Sequence, residues 1–260
     1  MPTLESQRIL QCDLHVWRSG AGPMLLFLHG YERHPGATGF LTTLAEGHEV
    51  VAPEHPGYGS SAGLEHIHDV LDLVLLYREF ITAHSDGAID VIGHSLGGMI
   101  AAELAAICPQ VVRRLVLVNP FGLWLDDQPA LDPFGPAATV RTAKWADPAA
   151  APDPEPWIFE PDPEDPHLEG ITQTRNLAAA TKFLWPLPDR GLRRRLPLVR
   201  TETLVVQGTA DGLVPLAYAE EFASLIPGAR LARIDGAGHY PMLERETEFV
   251  QVVEQFLARS

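Results

Sequence analysis

The feature that most constrains this chain is a serine between two glycines, at a point where a predicted strand turns directly into a predicted helix. The β-branched run 89–94 predicts a buried strand, and the apolar run 99–108 predicts a helix. Gly-His-Ser-Leu-Gly at 93–97 joins them. So short a turn is strained, and a Cβ at either glycine position would clash. Ser95 is therefore predicted at the tip of the turn, beside helix N-terminal amides that favour negative charge.

A serine hydroxyl becomes a good nucleophile only when a base accepts its proton and a carboxylate orients that base. Two loops near the C-terminus offer both groups. The predicted strand 203–207 is followed by a loop that carries Asp211, and the predicted strand 229–234 by a glycine-containing loop that carries His239. In a parallel sheet the carboxyl ends of the strands share one edge. The sequence therefore predicts that these two side chains converge with Ser95.

Five ordered segments spread over nearly the whole chain resemble motifs of the α/β-hydrolase superfamily. They are the His-Gly loop after the predicted strand 24–28, the Pro-Gly-Tyr-Gly-Ser turn at 56–60, the Gly-x-Ser-x-Gly turn at 93–97, the Asp loop at 208–215 and the His loop at 236–241. The order Ser, Asp, His is also the order of that superfamily. Glu54 stands where the superfamily usually has Asp, which leaves the three converging residues untouched.

The alternation of strands and helices predicts an α/β fold, with a mostly parallel, doubly wound sheet of the α/β-hydrolase type. Residues 1–120 and 201–260 are expected to form the core domain, and the insertion 121–200 a largely helical or irregular cap over the active edge. Prolines alternate with acids at 147–169, which predicts an irregular segment, either an entrance loop or a solvated surface. The arginines of 190–200 are expected to pair with those acids or to bind a substrate carboxylate.

The resemblance implies a division of roles among five residues. His239 would accept the Ser95 proton while Asp211 holds the imidazole in the correct tautomer. The backbone amides of Tyr31 and Leu96 would form the oxyanion hole, which stabilises the negative oxygen of the intermediate.

Five further residues are candidates for the substrate pocket. His94 directly precedes the nucleophile, and His29 belongs to the His-Gly loop that is expected near it; each is a structural part of its turn, a second base or a pocket residue. Trp157 and Trp185 lie in the insertion, where aromatic rings need an apolar surface to cover, either the core or the roof of a pocket. Tyr240 follows His239 directly.

Three functions remain open from these residues. Cleavage of a carboxylic ester, or a related acyl bond, is the leading interpretation. Epoxide hydrolases and haloalkane dehalogenases of this fold attack with Asp, so Ser95 argues against both activities. The run Asn-Pro-Phe-Gly-Leu-Trp at 119–124 resembles carbon-carbon bond hydrolases that act on vinylogous diketones, although those enzymes commonly have Trp where this chain has Tyr240. The third function is a non-hydrolytic small-molecule receptor, which an intact Ser95, Asp211 and His239 set argues against.

Composition limits the partners. Nineteen Lys and Arg against 34 Asp and Glu give a net charge of −15, which opposes binding to nucleic acid or to an anionic membrane. No run of about 18 apolar residues occurs, so a soluble cytoplasmic protein is expected. The two cysteines lack zinc-ligand spacing. A helix is predicted over 64–84, and His66 and His68 would face different sides of it. We therefore expect a small-molecule acyl substrate, no metal and no cofactor, with the oligomeric state open.

Overall fold

The computed structural model describes residues 2–34, 36, 38–149, 151, 168–186 and 188–258. The strands in this part of the chain are β1 (Thr3–Ile9), β2 (Cys12–Ser19), β3 (Met24–Leu28), β4 (Glu49–Pro53), β5 (Ile89–His94), β6 (Val112–Val118), β7 (Glu202–Gly208) and β8 (Arg230–Ile234). They form one sheet in the order β1-β2-β4-β3-β5-β6-β7-β8. Only the pairs β1 with β2 and β2 with β4 are antiparallel. The predicted α/β fold with a mostly parallel sheet is confirmed.

The helices of the described residues are α1 (Gly39–Leu44), α2 (Val70–His84), α3 (Leu96–Ile107), α4 (Ala137–Lys144), α5 (Leu168–Leu184), α6 (Leu192–Arg195), α7 (Leu216–Leu225), α8 (Pro241–Glu244) and α9 (Glu246–Leu257). Single 3-10 turns lie at Leu64–His66, Pro109–Val111 and Leu196–Leu198. None of these helices has the combination of length and apolar character that crossing a bilayer requires.

Helices cover both faces of the sheet. The residues of α2, α3 and α7 pack with Leu115 and Leu117 of β6 in one apolar cluster, whereas α1 and α9 pack with Val116 and Val118 in the other. Successive side chains of a strand point to opposite faces. A strand that is buried on both faces therefore reads as a continuous apolar run, which residues 115–118 of β6 show after Arg113 and Arg114.

The helical pattern predicted over 64–84 is wrong at its start. The first three residues form a 3-10 turn, and α2 begins only at Val70. The Asp69 carboxylate accepts hydrogen bonds from the Leu71 and Asp72 amides, at 2.8 and 3.1 Å. Asp at this position caps the N-terminus by satisfying amides that the helix itself leaves unpaired. His66 and His68 therefore precede the helix.

The insertion between β6 and β7 contains α4, α5 and α6. In α5, the Asn176 side chain accepts from the Gly59 amide and donates to the Glu32 carbonyl, each at 3.0 Å. Most of the predicted proline and acid segment, including Trp157, lies outside the described residues. Where it is described, the insertion is therefore tied to core loops that follow β3 and β4.

Two arginines of the predicted basic cluster pair with core helices. Arg195 makes two hydrogen bonds of 2.5 Å to the Glu103 carboxylate of α3. Arg193 pairs with Glu221 of α7. These contacts give both arginines a structural role that neither sequence interpretation included.

Candidate active site

The turn between β5 and α3, residues 93–97, requires both of its glycines. Ser95 has φ 57° and ψ −115°, a strained conformation for a residue with a side chain. A Cβ on Gly97 would lie 2.1 Å from the Leu28 carbonyl oxygen, and one on Gly93 would lie 2.3 Å from the Gly97 carbonyl oxygen. The Ser95 amide donates to the Val118 carbonyl of β6 at 2.9 Å. Backbone packing on both sides therefore holds the serine in its strained geometry.

The structure brings Ser95, His239 and Asp211 together at the carboxyl edge of the sheet. His239 Nε2 lies 2.9 Å from Ser95 Oγ, and His239 Nδ1 lies 2.8 Å from Asp211 Oδ2. Ser95 and His239 are fully buried, as is the Asp211 side chain. This is the predicted convergence, and its geometry allows a proton to pass from the hydroxyl to an imidazole held by a carboxylate.

The Asp211 carboxylate accepts hydrogen bonds from several donors. Its Oδ1 accepts from the amides of Leu213 and Val214 at 2.8 and 3.0 Å, while its Oδ2 accepts from Asn119 Nδ2 at 2.5 Å besides facing His239. A buried charge is costly unless it is paired and hydrogen-bonded. These donors hold the carboxylate in one orientation and remove that cost.

Asn119 is a site residue that sequence reasoning missed. It follows β6, has φ 44°, and donates a second hydrogen bond from Nδ2 to the Gly238 carbonyl at 3.2 Å. Its Oδ1 accepts from the Gly208 amide at 3.3 Å. One side chain therefore bridges the loops of Asp211 and His239. The sequence did offer a signal, because Asn119 is an amide side chain directly after a strand, at the same edge of the sheet as the loops of Asp211 and His239.

The two segments expected to provide oxyanion-hole amides flank Ser95. Leu96 is the first residue of α3, and first-turn amides have no partner within their own helix. On the other side, a Cβ on Gly30 would lie 3.2 Å from Ser95 Cβ. The Gly97 amide donates to the His29 carbonyl at 3.0 Å, which fastens the two segments to each other. Tyr31 follows directly and is fully buried.

His29 and His94 support the backbone of this site. His29 Nδ1 donates to the Gly30 carbonyl at 2.8 Å, and its Nε2 accepts from the His55 amide at 2.9 Å. His94 Nε2 donates to the His239 carbonyl at 2.8 Å. Burial, followed by neighbouring imidazoles, holds the pKa of both rings well below the usual range. Each ring therefore forms hydrogen bonds with the backbone of the loops around the site.

Among the described residues, Phe134 lines two cavities that lie near the site. The larger, of about 490 Å³, lies between the segment after β3 and helices α4 and α5, with Lys144 on its wall. The smaller, of about 230 Å³, is mainly apolar and is lined by Phe121 and Trp185. The Phe121 amide donates to the Ser95 carbonyl at 3.1 Å, and its ring centroid lies 5.9 Å from that of His239. Phe121 therefore contacts the reactive residues and also lines the smaller cavity.

Tyr240 lies beside the site but is engaged with other protein groups. Its ring centroid lies 5.1 Å from that of His94 and 5.1 Å from that of Trp145. Its hydroxyl donates to Glu32 Oε2 at 2.6 Å. Glu32, which also pairs with Lys144, is a second site residue that the sequence did not point to.

Comparison with known proteins finds relatives that match most of this chain. The chain is 32% identical over 256 residues to the polyketide synthase ThaQ of Burkholderia thailandensis, a match that covers 93% of this chain but only 12% of that protein. It is 31% identical over 254 residues to the pimeloyl-(acyl-carrier protein) methyl ester esterase of Aromatoleum aromaticum, covering 89% of this chain and 97% of the esterase.

Solved structures share the fold. A meta-cleavage product hydrolase from Pseudomonas fluorescens IP01 superposes with a TM-score of 0.77 at 17% identity, covering 97% of each chain. The model of the alpha/beta hydrolase family matches residues 25–252. Because that match runs from β3 into α9 and includes all three converging side chains, the chain belongs to the α/β hydrolase family.

Proposed function

We propose that this protein is a serine hydrolase that cleaves a carboxylic ester, or a related acyl bond, of a small-molecule substrate through an acyl-enzyme. The observation that carries the proposal is the continuous chain of contacts from Ser95 Oγ through His239 to Asp211, at 2.9 and 2.8 Å. A serine so connected has a base within reach and a carboxylate that orients the base.

In the proposed reaction His239 Nε2 takes the hydroxyl proton as Ser95 Oγ attacks the substrate carbonyl carbon. Asp211 stabilises the imidazolium that forms. His239 then gives the proton to the leaving alkoxide, the carbon-oxygen bond breaks, and the acyl group remains on Ser95. A water molecule that loses its proton to His239 attacks the acyl-enzyme. Proton return to Oγ releases the carboxylic acid and restores the serine.

The negative oxygen of each tetrahedral intermediate needs donors. We assign this role to the backbone amides of Tyr31 and Leu96, because their segments lie on either side of Ser95. Loss of one such donor typically removes about 3–4 kcal/mol of transition-state stabilisation.

We place the acyl group in the apolar cavity of about 230 Å³. Phe121 connects that cavity to the site through its contacts with Ser95 and His239. The Tyr31 ring centroid lies 6.1 Å from that of Phe121 and 6.4 Å from that of Phe134, so aromatic side chains line the route. A relative named as a methyl ester esterase also supports ester cleavage over other acyl reactions.

Carbon-carbon bond hydrolysis is the second candidate. It is favoured by the Asn-Pro-Phe run at 119–121, because Asn119 donates a hydrogen bond to Asp211 and the Phe121 ring contacts the His239 ring. The same serine, histidine and aspartate would serve that reaction. Tyr240 in place of the usual tryptophan, with its hydroxyl bound to Glu32, leaves ester cleavage as the better-supported function.

A panel of chromogenic esters with increasing acyl length, together with a ring-cleavage dienoate, tests these functions on purified protein. We expect wild type to hydrolyse esters, Ser95→Ala to lose nearly all of that activity, and Ser85→Ala, a serine at the end of α2, to keep it. Preference for the dienoate over every ester would support the second candidate. Ester hydrolysis that persists in Ser95→Ala overturns the nucleophile assignment, and a wild type inert to every substrate favours a receptor.

A further inference from the structure

The buried residues Glu32 and Lys144 form a polar network with the half-buried Tyr240 beside the proposed catalytic residues. Lys144 Nζ contacts both carboxylate oxygens of Glu32, at 2.9 and 2.6 Å, and the Tyr240 hydroxyl donates to Glu32 Oε2 at 2.6 Å. The Lys144 and Glu32 side chains are only 5% and 6% exposed. The ion pair therefore has little contact with bulk water, although both residues line the cavity of about 490 Å³, and its attraction is stronger than that of a surface pair.

Each member of the network is joined to a segment that the proposed reaction uses. Glu32 directly follows Tyr31, the proposed oxyanion donor. Tyr240 directly follows His239, and the backbone carbonyl of Lys144 accepts the His239 amide at 2.7 Å. Lys144 is the last residue of α4, so this network connects the insertion with the loops after β3 and β8.

The residues around Lys144 extend this connection to the carboxylate loop. The Ala143 carbonyl accepts from the Gly212 amide, adjacent to Asp211, at 2.9 Å. The Ala146 amide donates to Glu244 Oε2 at 2.8 Å, and the Gly238 amide donates to the other oxygen of the same carboxylate at 2.8 Å. Residues 143–146 thus lie across the loops that carry both the acid and the base.

Stability of the folded state does not by itself account for this network. Burial by itself would raise the pKa of Glu32, and the Lys144 charge together with hydrogen bonds from Lys144 and Tyr240 outweighs that effect, so the pKa is lowered. The desolvation penalty of a buried ion pair can exceed the attraction between its charges, and apolar residues of similar volume often serve equally well. What the pair does supply is a directional contact between three separate chain segments.

We propose that Glu32, Lys144 and Tyr240 are positioning residues that make the geometry of His239 and of the Tyr31 amide depend on the docking of α4 onto the core. With α4 packed on the core, the Lys144 carbonyl holds the His239 amide, and the Lys144 ammonium holds Glu32, which directly follows Tyr31. This proposal rests on the proposed function for its kinetic consequence, but its structural consequence can be measured without a substrate.

Two conservative variants test the network, Tyr240→Phe and Glu32→Gln, with Glu103→Gln as a matched control. Glu103 likewise pairs with a basic side chain of the insertion, Arg195, and its side chain is 2% exposed, but this pair lies about two turns along α3 from Ser95. We expect kcat for a short-chain ester to fall about tenfold to a hundredfold in Glu32→Gln, the effect of misplacing a reactive group by about 1 Å. Tyr240→Phe should show a smaller loss. KM should change by less than about threefold in either, since no contact to substrate is removed.

The second measurement is the downfield proton resonance of His239 Nδ1, which reports the contact with Asp211 in the absence of substrate. It should shift or broaden in both network variants and remain as in wild type in Glu103→Gln. Unchanged kcat and an unchanged resonance in Tyr240→Phe, which removes a single oxygen, would overturn the proposal even if Glu32→Gln fails to fold. If wild type hydrolyses no ester, the proposed function fails, and the resonance alone then decides whether the network positions His239.

Discussion

The Asn119 side chain donates to Asp211 Oδ2 at 2.5 Å, so a residue that follows β6 holds the carboxylate that follows β7. The same amide nitrogen reaches the Gly238 carbonyl of the His239 loop at 3.2 Å. Neighbouring parallel strands bring these three loops to one edge, and one side chain joins them. The orientation of the proposed base therefore depends on a residue outside the serine, histidine and aspartate set.

Replacing Asn119 by glycine should weaken catalysis. Glycine accepts the φ of 44° without strain, so the substitution isolates the loss of the amide side chain. Removing a donor to a buried carboxylate costs about 1–3 kcal/mol, and we expect kcat/KM to fall by about tenfold or more. Ester kinetics together with urea unfolding measure both effects. Full activity in Asn119→Gly would show that the backbone amides of Leu213 and Val214 suffice to orient Asp211.

Gly97→Ala should disrupt the turn around Ser95. Its Cβ would lie 2.1 Å from the Leu28 carbonyl oxygen and 2.5 Å from that of His29, and neither backbone can move without shifting the proposed oxyanion segment. We expect a loss of more than about 2 kcal/mol in the free energy of unfolding, and loss of ester hydrolysis. Gly87→Ala is the control, because a Cβ there meets no atom within 4 Å. Equal stability of the two variants would contradict the packing argument.

Trp185→Ala should change which acyl groups are accepted while the chemical step continues. Trp185 lines the apolar cavity of about 230 Å³, and loss of an apolar pocket contact changes discrimination by about 1–3 kcal/mol. The measurement is the ratio of kcat/KM values for short and bulky acyl esters. Leu198→Ala is the control, since Leu198 is equally exposed, at 54%, and is not among the residues lining that cavity. An unchanged ratio in Trp185→Ala would remove this ring from the pocket.

Glu54 should make stability depend on pH near neutrality. Burial raises its pKa to about 7, although the Ser60 amide and the Arg175 charge act in the opposite direction. A carboxyl whose pKa is higher in the folded state than in the unfolded state contributes stability at low pH, and this is lost as pH rises toward and through 7.

Glu54→Gln keeps an acceptor for Ser60 and cannot ionise. The free energy of unfolding of wild type should therefore fall relative to this variant between about pH 4.5 and 8, by up to about 3 kcal/mol. Urea unfolding at several pH values measures the difference, and Glu248→Gln, at an exposed position of α9, provides the control. Parallel curves for wild type and Glu54→Gln would show that Glu54 is ionised throughout.

Local sequence determined the elements and their order. The apolar runs predicted the positions of β3, β5 and β7 closely, because strands buried on both faces leave a largely apolar pattern. The two glycines around Ser95 predicted a turn too tight for a Cβ. Parallel topology then predicted that the loops after β5, β7 and β8 meet at one edge, which is the arrangement found.

The start of α2 shows where local patterns stop being sufficient. Apolar periodicity continued through Leu64, but the Asp69 carboxylate caps the helix at Val70. Capping by a side chain competes with the periodic signal and decides the boundary.

What only the tertiary structure decided is which side chains meet across distant segments. Lys144 and Glu32 are 112 positions apart, and Asn119 and Asp211 are 92 apart. A charged or amide side chain in a linear sequence reads as a solvated surface group, since exposure is its usual state. Burial between packed loops removes the competing water and makes a partner obligatory. The identity of the partner depends on the distance between folded segments, which neither periodicity nor composition contains.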